Sequence, residues 1–137
     1  MIYVYDSSFV AAIIIPDEKN PKVNIAYNEL EESDIIYAPQ LIWYEIANVF
    51  KNLIRRKRYT PDEVSHFFTL LSGINLSTDF ESGANYAKRI WNLCSAYNLS
   101  AYDSAYLELA KRKKAVLCTL DENLINAANK YGVEVIL

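Results

Sequence analysis

Residues 2–6 read IYVYD and residues 115–121 read AVLCTLD, two short apolar runs that each stop on an aspartate. Runs this short, apolar on both faces and rich in β-branched or aromatic residues, suit strands of a parallel sheet covered on both sides. Sites in open parallel sheets form beyond the carboxyl ends of the strands. Asp6 and Asp121 occupy those ends.

Working outward, a helix is expected over residues 8–15, stopped before Pro16. Residues 16–22 read as a loop in which Pro21 suits a first helical position. Apolar spacing then predicts a helix over 22–32 and a second strand at 34–38. QLIWYEIANVFKNLIRRK at 40–57 is the longest helical segment. It is apolar over most of its circumference, so burial on more than one side is expected. Thr60-Pro61-Asp62-Glu63 has capping-box spacing and opens a helix to about Leu71, ended by Gly73. A third strand is expected at 74–78, helices at 80–97 and from Ser100 to Lys113, and a strand at 115–120. A helix at 122–131 closed by Gly132 and a terminal strand VEVIL complete the chain. Alternating strands and helices imply an α/β, three-layer architecture, a central mostly parallel sheet flanked by helices. Without linker or repeat, residues 1–137 read as a single domain.

With 14 Lys+Arg against 17 Asp+Glu, the formal net charge is −3. That excludes a protein that coats nucleic acid by bulk charge, but not an enzyme touching it locally. A 137-residue chain, 52% hydrophobic, can build a core without disulfides or structural metal. Cys94 and Cys118 lie in apolar stretches without ligand spacing and read as free buried thiols in a reducing compartment. The N-terminal stretch lacks a basic region, and no apolar run approaches the roughly 20 residues that span a bilayer. A cytoplasmic protein without a membrane partner is expected.

Two further acids join Asp6 and Asp121. Asp103 shares a helical face with Leu99, Tyr106, Leu107 and Ala110, a face that should pack inward. Glu45 stands between Trp43-Tyr44 and Ile46-Ala47. Each has a structural alternative. Asp6 and Asp121 can cap helices, Ser100-x-x-Asp103 has capping-box spacing, and Glu45 can be a solvated surface acid. As a set, four converging carboxylates repel unless a multivalent cation compensates them. All-oxygen donors select Mg²⁺ or Mn²⁺ over zinc, and such sites commonly serve phosphoryl transfer. His66, the one histidine, sits beside Phe67 and Phe68 and reads as structural.

YVYDSSFV, YEIANVF, SAYDSAYLELA and LCTLDENL, in this order, resemble a PIN-domain ribonuclease of the VapC toxin type over essentially the whole chain. The resemblance implies a PIN-like fold and a metal-dependent endoribonuclease, the toxin of a toxin–antitoxin pair. It implies Asp6, Glu45, Asp103 and Asp121 as catalytic residues and metal ligands, with Mg²⁺ or Mn²⁺ as cofactor. Ser8 and Thr119 would orient ligands from behind. The implied partners are an RNA substrate, a cognate antitoxin protein whose C-terminal segment covers the acids, and a second copy in a homodimer.

Arg55-Arg56-Lys57-Arg58 and Lys111-Arg112-Lys113-Lys114 fall at expected helix C-termini. There they can complement the helix dipole or contact RNA phosphates. Trp43, Tyr44, Phe50 and Ile54 exceed what one core needs and leave a dimer or antitoxin contact to explain the rest. Tyr97, Tyr102 and Tyr106 read as helix-packing residues rather than stacking platforms. A receiver domain would carry an acid pair after the first strand and a late lysine, and a haloacid-dehalogenase phosphatase D-x-D. Here Ser7-Ser8 follows Asp6 and VEVIL has no lysine. A non-catalytic PIN-like interaction module and a structure-specific DNA nuclease remain as alternatives.

Overall fold

Strand β1 (Ile2–Tyr5) forms the middle of a sheet in which every pairing is parallel, in the order β3-β2-β1-β4-β5. The computed structural model describes residues 1–136. Among them the order is β1, α1 (Ser7–Ile14), a 3-10 turn (Pro16–Glu18), α2 (Pro21–Asn28), β2 (Ile35–Pro39), α3 (Leu41–Arg55) and α4 (Pro61–Ser72). There follow β3 (Leu76–Asp79), α5 (Ala84–Tyr97), α6 (Ala101–Lys113), β4 (Val116–Cys118), α7 (Glu122–Tyr131) and β5 (Val135–Ile136). Leu137, last in the expected VEVIL strand, lies outside the described residues.

From β1 the chain builds outward through β2 to β3, then crosses to β4 on the other side of β1. Parallel crossovers are right-handed, so this reversal places α1–α4 on one face and α5–α7 on the other. Contacts agree: α1 packs on α2, α3 and α4, while α6 packs on α5 and α7. The three-layer α/β architecture stands, and the sheet is wholly parallel.

Local chemistry moves several expected boundaries. Asn20 accepts from the Lys22 amide at 2.9 Å, so Pro21 opens α2 inside the expected loop. That helix ends at Asn28 rather than 32, because the Asp34 carboxylate takes the Glu31 amide at 2.8 Å in a turn. Gly83, at φ 98°, delays α5 to Ala84. The 115–120 strand is paired only over Val116–Cys118, since Thr119 and Leu120 turn towards β1.

One expectation is reversed. Helix α3 buries a single face, Ile42, Ile46, Phe50 and Leu53, and leaves Trp43, Tyr44 and Ile54 exposed. The helix covered all round is α6, where every residue from Ser104 to Ala110 is buried between the sheet, α5 and α7. Its polar members concealed this: Glu108 is neutralised by Arg112 at 2.7 Å, and Ser104 meets the Cys94 sulfur. Both cysteines are free, Cys118 buried and Cys94 partly so.

Replacing Leu107, fully buried on α6, by alanine is expected to cost about 2–5 kcal/mol in urea denaturation. Ile54→Ala, on the exposed side of α3, should cost less than about 1 kcal/mol. Comparable losses at both positions would show that the Ile54 side of α3 is packed as well.

Candidate active site

Asp6 ends β1, caps α1 through the Phe9 amide (2.9 Å to Oδ1), and is 5% exposed. Its carboxylate is held by two further donors. The Ser8 hydroxyl donates to Oδ1 at 2.7 Å, and the fully buried Thr119 hydroxyl donates to Oδ2. Each hydroxyl also accepts a main-chain amide from the β4–α7 junction, Leu120 on Ser8 and Asp121 on Thr119, both at 3.0 Å. Ser8 and Thr119 therefore both hold the Asp6 carboxylate.

Asp121 caps α7 by accepting from the Leu124 amide at 2.9 Å and is exposed. Glu45, half-buried on α3, takes a 2.5 Å hydrogen bond from the buried Tyr106 hydroxyl of α6. Asp103 opens the first turn of α6, its amide donating to Ser100 Oγ at 3.1 Å. The Thr60–Glu63 box of α4 closes in both directions. Among the described residues Asp103 makes no such return bond to the Ser100 amide, so capping does not consume its carboxylate. The capping roles of Asp6 and Asp121 are real, and each leaves carboxylate capacity beyond its cap.

The four acids feel one another. Burial raises the pKa of Asp6 despite the three donors, with Asp103 adding repulsion. Glu45 is raised by burial and by Asp6 and Asp103, and Asp103 by burial and Asp121. Among the described residues no lysine or arginine pairs with any of the four; the ion pairs form elsewhere. Nor do three acidic, histidine or cysteine side chains there close into a ready-made cage. The donor chemistry nonetheless fits a hard cation. Mg²⁺ keeps several waters and takes only one or two carboxylates directly, which an open group of acids can provide.

Other expected residues fall differently. The second basic run is engaged in the fold: Lys111 donates to the Tyr131 carbonyl at 2.9 Å, and Lys113 covers the Tyr37 ring at 4.6 Å. Arg112 binds Asp79 and Glu108. In the first run, Arg58 bridges to Asp17 and Glu18, while Arg55, Arg56 and Lys57 stay exposed. Arg55 lies ten positions beyond Glu45, about 15 Å along α3. Tyr106 is buried, as a packing residue should be, but Tyr102 is 64% exposed, contrary to its packing assignment. His66 is exposed on α4. Tyr106 is also the residue missed as a site component: three positions after Asp103, it shares that acid's helical face, the one available signal.

A wholly parallel sheet carrying acids where its strand order reverses is matched by the PIN domain family over residues 3–130. The chain belongs to the PIN domain family. Among curated proteins it is 29% identical, over 90% of its length and 92% of the relative's, to "Ribonuclease VapC3" of Pyrobaculum aerophilum. Two solved structures share the PIN fold. VapBC2 from Rickettsia felis, bound to a DNA fragment from their promoter, superposes with a TM-score of 0.68 at 14% identity, covering 98% of this chain and 97% of that one. Mycobacterium tuberculosis VapC20, described as a sarcin-ricin loop cleaving toxin, gives 0.64 at 13%, covering 93% and 95%. Among the described residues no helix of this PIN domain is long and apolar enough to cross a membrane.

Two outcomes follow for the metal-free protein. Thr119→Val removes a donor from Asp6 and an acceptor from the Asp121 amide, and should cost about 1–3 kcal/mol in urea denaturation. A carboxyl raised by folding contributes stability below its unfolded pKa and loses it as pH rises through the raised value. In EDTA, Asp103→Asn should therefore be more stable than wild type at about pH 7.5, with the advantage shrinking towards about pH 4. A pH-independent difference would refute that assignment.

Proposed function

We propose that this chain is a metal-dependent endoribonuclease acting in the cytoplasm, the toxin of a toxin–antitoxin pair, built as one domain over residues 1–137. The observation that carries the reading is the Asp6 carboxylate. It is buried and held by neutral donors, with Glu45, Asp103 and Asp121 nearby, and among the described residues no lysine or arginine pairs with it. The names of the relatives, a ribonuclease and an RNA-loop-cleaving toxin, support RNA as the substrate.

In this reading Asp6, Glu45, Asp103 and Asp121 hold Mg²⁺ or Mn²⁺, some of them through water. Such an ion, when bound by these acids, would supply Lewis-acid chemistry that eases deprotonation of water and offsets charge at a phosphate. Asp6 enters the reaction already oriented, because Ser8, Phe9 and Thr119 fix both of its oxygens. Asp103, whose carboxylate is not consumed by its cap, can turn to the ion or to a water at the phosphate. Arg55, Arg56 and Lys57, exposed at the end of α3 about 15 Å along the helix from Glu45, would contact backbone phosphates away from the scissile bond. Arg58 contributes less, being paired with Asp17 and Glu18. The exposed Trp43, Tyr44 and Ile54 on α3, with Phe68 on α4, give apolar surface for the antitoxin or for a second copy in a homodimer.

The test is cleavage of structured RNA by purified protein with Mn²⁺ and with EDTA. EDTA should abolish cleavage, and Asp6→Asn or Asp103→Asn should each slow it about 100-fold or more, as expected when one preorganised electrostatic partner is lost. Cleavage that persists in EDTA, or wild-type rates in both variants, would refute the reading.

A further inference from the structure

We propose that Tyr106 is a positioning residue: its buried hydroxyl fixes Glu45 in the orientation that a divalent cation requires. The inference rests on the metal-nuclease reading and adds to it a residue outside the acidic set. Tyr106 is 1% exposed, on the helix buried most completely. Its hydroxyl crosses from α6 to Glu45 Oε1 on α3 at 2.5 Å, joining residues 61 positions apart. A buried phenol needs an acceptor, and a half-buried carboxylate beside two other acids needs a donor. The Ser7 hydroxyl, at the start of α1, lies beside both groups. The bond engages Oε1 and so restricts how the Glu45 carboxylate can turn.

The arrangement parallels that of Asp6. There two hydroxyls set the carboxylate; here the Tyr106 phenol does, with the Ser7 hydroxyl beside it. Asp103 and Tyr106 lie three residues apart on α6 and so on one face, which presents one acid and holds another. Groups that orient ligands in this way typically change metal affinity by about 10–100-fold. Phenylalanine at 106 would keep the ring and its packing while releasing Glu45.

The experiment is calorimetric titration of the whole protein with Mn²⁺, for wild type, Tyr106→Phe, Glu45→Gln and the double variant, alongside melting in EDTA. Tyr106→Phe should weaken Mn²⁺ binding about 10–100-fold and leave the EDTA melting temperature within a few degrees of wild type. The double variant should bind no more weakly than Glu45→Gln alone, because Tyr106 acts only through Glu45. In RNA cleavage at sub-saturating Mn²⁺, kcat should fall with KM nearly unchanged. Glu45→Asp, which keeps the charge but shortens the reach to Tyr106, serves as a second variant and should weaken Mn²⁺ binding similarly. Wild-type Mn²⁺ affinity in Tyr106→Phe, or losses that add in the double variant, would overturn the proposal with the nuclease reading intact. A wild-type protein that takes up no Mn²⁺ would overturn both.

Discussion

A carboxylate buried at the end of the central strand constrains this molecule more than any other group. Asp6 retains only 5% of its surface, and an ionised carboxylate removed from water is costly unless its oxygens are satisfied. Here they are satisfied by an amide of α1 and by the Ser8 and Thr119 hydroxyls. Because each hydroxyl also accepts an amide from the β4–α7 junction, satisfying Asp6 joins two chain segments more than 110 positions apart. The Asp6 amide donates to the Cys118 carbonyl at 3.1 Å, so the same junction continues the β1–β4 ladder. Removing the carboxylate would leave donors without acceptors in the core.

That junction is also where the topology opens. Strand order reverses at β1, with β2 and β3 on one side and β4 and β5 on the other. Connections leaving β1 and β4 turn to opposite faces, and a crevice remains between them. Asp6 and Asp121 therefore share a position through sheet order rather than sequence proximity. Helix α6, packed across β1, β2 and β4, brings Asp103 to the same crevice, and Tyr106 draws in Glu45 from the opposite layer.

The sequence made some of this legible and hid the rest for identifiable reasons. Asp6 and Asp121 could be read because each terminates a short apolar run, a local pattern. Strands apolar on both faces implied a mostly parallel sheet, and every pairing proves parallel. The buried identity of α6 was hidden, since Glu108, Lys111, Arg112 and Lys113 make it look like a surface helix. Its partners lie far away: Arg112 binds Asp79, 33 positions earlier, and Lys111 packs on Tyr131, 20 positions later. A charge run that could cap its helix or contact phosphates thus serves tertiary structure through Lys111, Arg112 and Lys113. The apolar surplus of α3 was visible, but single-sequence periodicity cannot separate a second buried face from an exposed one. The Glu45–Tyr106 bond spans 61 positions and has no local signature apart from the shared face with Asp103.

The protein buries carboxylates in two ways, and the contrast separates structural from functional burial. Glu108, 5% exposed, is met by Arg112 at 2.7 Å and Arg89 at 3.4 Å, and Arg112 also holds Asp79 well below the usual carboxylate range. Each acid there is paired with an arginine of the fold itself. Asp6 has the same exposure and, among the described residues, no cationic partner, only neutral donors that fix its geometry without neutralising it. A fold that needed this carboxylate merely as a cap could use the same hydrogen bonds at the surface, with far less desolvation. Retaining an uncompensated charge in the interior, beside three further acids, makes physical sense where an external cation completes the balance. The net charge of −3 is thus not evenly spread. At the Arg89–Arg112 cluster the acids are each paired with an arginine; at the sheet crevice acidic charge is concentrated and held in place.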